Sequence, residues 1–84
     1  MNEFEKKSFD FIQNERELEF AIFCIENLAE KTGVPAPEMF KLLSEQSQFL
    51  QNYIVPNFEI LHTQSKEYIL EDLLEAMRQK GILK

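Results

Sequence analysis

Glu59-Ile60-Leu61-His62 is the stretch of this chain whose residue types and spacing come nearest to a reactive site. An E-x-x-H sets a carboxylate and an imidazole on one helical face, the donor pattern of di-iron bundles. Such a centre needs a second E-x-x-H and two more carboxylates. His62 is the single histidine, so a dimer would have to assemble the site across its axis. The residues therefore predict no metal site, and His62 reads as a side chain that caps or hydrogen-bonds neighbouring backbone. Nucleophilic chemistry has as little support. Cys24, the one cysteine, falls on the apolar flank of a helix and far in sequence from His62, so it reads as a small buried hydrophobe with no disulfide or zinc partner. Paired acids such as Glu67 and Glu71 read as a solvated face. Gly33 and Gly81 read as helix terminators rather than as a phosphate loop. No catalytic set and no cofactor is expected, which favours a protein that is not an enzyme.

One polar stretch exceeds what capping alone requires. His62, Thr63 and Gln64 stand in the corner before the last helix, and Tyr68 projects from that helix away from its apolar side. The structural reading is a capping corner for exposed backbone N–H groups. The functional reading is a recognition corner for a partner or a small ligand.

These side chains need elements to hold them, and the sequence supplies helices. Glu17 to Gly33 reads ELEFAIFCIENLAEKTG, with Leu18, Ala21, Ile22, Ile25, Leu28 and Ala29 at helical spacing and Phe20, Phe23 and Cys24 on the flanks. That is too much apolar surface for one contact, so the helix should sit centrally. Phe20 and Phe23, as surplus, mark a candidate self-association surface for a homodimer. Gly33 suits the position past a helix end, and Pro37 the first position of a second helix bearing Met39, Phe40, Leu42 and Leu43. Ser44 to Ser47 should break or bend the chain, with Ser47 as cap for a segment carrying Phe49, Leu50, Tyr53 and Ile54. Pro56 ends that segment, and Asn57 to Leu61 reads as one further turn. Ser65 caps the last helix, whose apolar side is Ile69, Leu70, Leu73, Leu74, Ala76 and Met77, and Gly81 closes it. No strand pattern is present. The expected fold is all-α, a small bundle of four to five helices around the central one, with residues 17–84 as a single domain and residues 1–16 as an amino-terminal arm or helical extension.

Length and charge bound the partners. Eighty-four residues lie near the lower limit at which a chain buries about 60 % of its unfolded surface unaided. A net charge of −6, with the basic residues scattered, repels phosphates and anionic lipid headgroups. A DNA-binding regulator remains an alternative because Gly33 to Ile54 joins short helices by tight connectors. Its reading helix, SQFLQNYI from Ser47 to Ile54, has no Arg or Lys to hold a phosphate. The amino terminus has no apolar run after its lysines and no stretch approaches a membrane span, so a cytoplasmic protein is expected.

EFAIFCIENLAEKTGV at Glu19 to Val34 and YIVPNFEILHTQSKEYILEDLLEAMRQKGIL at Tyr53 to Leu83 resemble a small bacterial family of uncharacterised helical proteins, domain of unknown function thirty-seven ninety-one. The resemblance runs from Leu18 to Leu83 and rests on the FCIE of the first helix and the LHT corner leading to YI and an acid-bearing last helix. Family members often carry Gly where this chain has Ser65, so the corner here is capped rather than flexible. The resemblance implies no established activity. It does imply a partner, since members are frequently encoded beside an ADP-ribosyltransferase-like domain, which points to an antitoxin-like role. The acidic charge agrees with covering a basic cleft. The leading reading is a protein-interaction module; the alternative is a small-ligand or metal-binding protein using the His62 corner.

Overall fold

The computed structural model describes Ile12 and residues 14–82. The expectations for the amino-terminal arm fall mostly on residues 1–11 and lie outside the described residues.

Helix α1 spans Glu15–Thr32 and begins two residues earlier than the apolar pattern suggests. Asn14 causes the shift: its backbone is extended and its side chain accepts the Glu17 N–H at 2.9 Å, so the helix starts at Glu15. Its far end stops at Gly33, whose φ of 81° is the left-handed conformation that costs glycine little, with the Gly33 N–H donating to the Ala29 carbonyl.

The buried side of α1 is rotated from the expected one. Phe20, Ala21, Cys24, Ile25, Leu28 and Ala29 are buried, whereas Ile22 is 40 % exposed. At about 100° per residue these six span half the wheel with Ala21 and Leu28 near its middle, and Ile22 falls just past its edge. Phe20, expected on the flank, is therefore inside, and Cys24 is buried as expected. The central position of the helix holds: α2 (Ala36–Lys41) and α4 (Lys66–Gln79) both pack on it.

α2 starts at Ala36 rather than Pro37, with Pro35 as the capping residue. Pro37 still lies in the first turn, where its missing N–H has no intrahelical partner to lose. The chain does not break after Lys41. It widens into a π-helical turn, Leu42–Gln46, then a second, Leu50–Ile54, on either side of Ser47 and Gln48. The wide bonds are explicit, since Ser47 N–H reaches the Leu42 carbonyl and Val55 N–H the Leu50 carbonyl. The Ser47 hydroxyl joins both turns, donating to the Leu42 carbonyl at 2.7 Å and accepting from the Phe49 N–H at 3.2 Å. Ser47 thus caps the segment after it while terminating the one before. Gln48 carries the bend with a φ of 56°.

α3 (Phe58–Leu61) follows the turn around Pro56, and α4 is capped by Ser65, whose hydroxyl accepts the Tyr68 N–H at 3.1 Å. Gly81 ends α4 with a φ of 75°, and Ile82 turns back to pack against the core. The centre holds Leu28, Met39, Leu43, Leu50, Ile54, Leu73 and Met77, none of them reached by solvent. Each element gives a wet face to solvent and an apolar one to this cluster, which makes the protein an all-α bundle around α1.

Candidate functional site

The residues singled out for function in the sequence fall into two sets, and the fold brings parts of both together. Phe20 and Phe23 from α1, Phe58 from α3, His62 and Gln64 from the corner, and Lys66 and Ile69 from α4 line one open groove of about 610 Å³, with Arg16 and Glu19 at its edge. Helical spacing positions the α1 members: Arg16, Glu19, Phe20 and Phe23 recur at three and four residues and share a stripe.

The floor is aromatic. Phe20 meets the edge of Phe58 with ring centres 5.4 Å apart and lies beside Phe23 at 6.4 Å. The His62 ring rests against Phe58 at 4.5 Å. Phe20 is only 7 % exposed, so its surface is mostly consumed within the chain. The self-association surface expected from the two phenylalanines reduces to Phe23, which is half-buried.

The rim is polar and cationic. The Arg16 guanidinium lies over the Phe58 ring, 5.8 Å from its centre, a cation–π placement that restrains the side chain without neutralising it. His62 Nε2 stands 3.7 Å from Glu59 Oε1, which forms an ion pair only when His62 is protonated. Glu59 is largely in water, so the pair adds little to stability. Among the described residues His62 makes no side-chain hydrogen bond to backbone; it leans on an aromatic ring instead of capping. No third His, Cys, Asp or Glu joins Glu59 and His62 among the described residues.

Thr63 and Tyr68 are not in the groove. The Thr63 hydroxyl donates to the Ile60 carbonyl at 3.1 Å, a local capping bond, and Tyr68 stands 52 % exposed on α4. The corner therefore divides: Thr63 and Ser65 serve the backbone, while His62 and Gln64 face the groove lining. Cys24 is sealed in the core, is not part of the lining, and burial pushes its thiol up to about 12. A thiol so held is a poor nucleophile at neutral pH.

Sequence reasoning missed five lining residues, Glu19 among them. Arg16 and Lys66 read as scattered charges, Phe58 as the apolar side of a short turn, and Ile69 as core. Only the packing of α1 against the corner unites them. A second depression lined by Asn27, Glu30, Lys31, Lys66, Glu67, Leu70 and Glu71 lacks this character. Its charges are of both signs and Leu70 is its one apolar anchor, so it resembles ordinary solvated surface.

Fold and site together define a small all-helical bundle with an aromatic groove beside its central helix. The sequence profile described as protein of unknown function (DUF3791) matches residues 19–80, and the chain belongs to that family. The match includes every lining residue except Arg16. No curated protein and no solved structure matches the chain. Among the described residues no helix is long and apolar enough to cross a membrane.

Proposed function

We propose that this chain is a non-enzymatic interaction module that holds a partner protein in the Phe23, His62 and Gln64 groove. The partner suggested by the family resemblance is an ADP-ribosyltransferase-like protein, which the module would cover in the manner of an antitoxin. One observation carries the reading: surplus apolar surface from α1 and unspent polar groups from the corner meet in a single open groove. Such a combination of aromatic anchors and a polar rim is the anatomy of a protein contact. A small-ligand pocket usually encloses most of its ligand, which this open groove does not do.

Affinity purification from the native host tests the reading. The intact chain should retain a partner that Phe23→Asp loses, while Tyr68→Ser, outside the groove, retains it. A partner held equally by all three, or none held by the intact chain, overturns the proposal. Co-expression with an ADP-ribosyltransferase-like neighbour tests the finer claim, with relief of growth arrest by the intact chain and none by Phe23→Asp.

A further inference from the structure

The charge of the groove differs in sign from that of the chain that carries it. The chain is at −6, yet the lining sets Arg16 and Lys66 against Glu19 alone, a formal balance of +1 with His62 neutral. Among the described residues neither Arg16 nor Lys66 has a carboxylate within ion-pair distance. Both cations stand at exposed positions bordering an aromatic floor, where Arg16 is already restrained over Phe58. A carboxylate bound there would gain charge-assisted hydrogen bonds from a side chain whose freedom is partly lost beforehand. The net charge of −6 disfavours such a group over the surface as a whole.

Resting on the interaction reading above, we infer that the groove takes a peptide segment in which a bulky apolar side chain stands next to a carboxylate. The apolar side chain packs against Phe23, with the largely buried Phe20, Phe58 and Ile69 beneath it. The neighbouring acid meets Arg16 or Lys66, and Gln64 offers an amide to the peptide backbone. The apolar floor gives affinity, and the cations select acid-flanked segments over basic ones. This narrows the partner: it presents an acidic, hydrophobic stretch to an otherwise acidic protein, a combination that bulk charge alone would forbid.

Fluorescence polarisation on the full chain tests the inference with two labelled probes, Gly-Ser-Glu-Phe-Asp-Leu-Gly-Ser and the same peptide with Lys in place of Glu and Asp. The acidic probe should bind at least about tenfold tighter, and rising salt should erode that preference. Arg16→Gln and Lys66→Gln, both at exposed positions, should each weaken the acidic probe by about threefold or more, while Lys41→Gln leaves it unchanged. Equal binding of the two probes, a preference for the basic one, or no binding of either overturns the inference. None of these touches the interaction proposal, whose test is the Phe23-dependent partner. Occupancy by the chain's own residues 3–11, which also set Phe4, Phe9 and Phe11 beside acids, is distinguished by Phe4→Ser, Phe9→Ser and Phe11→Ser together. Acidic-probe binding that appears only in that triple variant assigns the groove to the chain itself and overturns the inference, as does concentration-dependent dimerisation that Phe23→Asp abolishes.

Discussion

Two polar corners interrupt the helices of this protein, and they differ in what surrounds the polar groups they carry. At the Ser44–Tyr53 corner four side chains, Ser44, Ser47, Gln51 and Tyr53, bond within the chain, although Gln51 Oε1 is buried without a partner among the described residues. The Ser44 hydroxyl donates to the Phe40 carbonyl at 2.6 Å, Gln51 Nε2 to the Ser44 carbonyl at 2.9 Å, and the Tyr53 hydroxyl to Asp72 Oδ2 at 2.8 Å. Phe49 stacks on Tyr53 with ring centres 4.8 Å apart, and Leu50 and Ile54 close the corner from beneath. At the His62–Ser65 corner Thr63 and Ser65 cap, but His62 and Gln64 are left on a groove whose floor is aromatic. The first corner is built to hold two π-helical turns in place; the second has chemistry left over. Polar residues in a corner identify a site only when the fold leaves them unspent.

The widest separation between the corners is expected in stability. Leu50→Ala leaves a cavity under the π-helical corner and should cost about 3 kcal/mol by urea unfolding, whereas Gln64→Ala on the groove should stay within about 0.5 kcal/mol. Similar losses for both would remove the distinction.

Alkaline unfolding sharpens the contrast between enclosed and open groups. Burial holds the Cys24 thiol at about 12 against an ordinary 9.0, and burial together with the Asp72 hydrogen bond holds the Tyr53 phenol at about 12 against 10.0. Both groups keep their protons longer in the folded chain than in the unfolded one. Their contribution is thus complete below about pH 9, declines as the unfolded groups ionise, and is gone above about pH 12. The urea midpoint should fall across that window, and Cys24→Ala should flatten the lower part of the fall. A midpoint flat from pH 9 upward contradicts the enclosed thiol.

Much of the architecture was legible because its signals are local. Gly33 and Gly81 take the positive φ that the end of a helix asks for, Ser65 caps α4, and Pro56 precedes a separate turn. The π-helical turns were not legible, because their Phe, Leu and Ser spacing also fits an interrupted α-helix. What fixes them is the exchange of bonds at Ser47 and the left-handed Gln48. The groove was half legible. Phe23, His62 and Gln64 stood out as surplus, but nothing in local spacing says that α1 runs past the corner, and Arg16 and Phe58 acquire meaning only from that approach. Phe20 was expected at a surface and Ile22 in the core; a modest rotation of α1 exchanged them.

Smaller effects test each corner by itself. Tyr53→Phe removes the bond to Asp72 and should cost about 1 kcal/mol, close to the cost of Ser65→Ala, which removes one helix cap. The first should loosen the π-helical corner and the second the start of α4, a difference visible in amide hydrogen exchange at Leu50–Ile54 and at Lys66–Ile69 respectively. Smallest and opposite in sign is Gln48→Gly. It relieves a left-handed non-glycine residue and should raise stability by about 0.5 kcal/mol after the entropic cost of glycine is subtracted. A loss in thermal unfolding would mean that the Gln48 side chain contributes more than its backbone costs.

The proposed partner contact lies on the groove. A photo-cross-linking benzoyl-phenylalanine placed at Phe23 in the full chain, within the native host, compares it with the same group at Tyr68, an exposed aromatic outside the lining. Capture of one discrete protein from Phe23 and not from Tyr68 is the predicted result. Capture from Tyr68 alone, or equally from both, would contradict it.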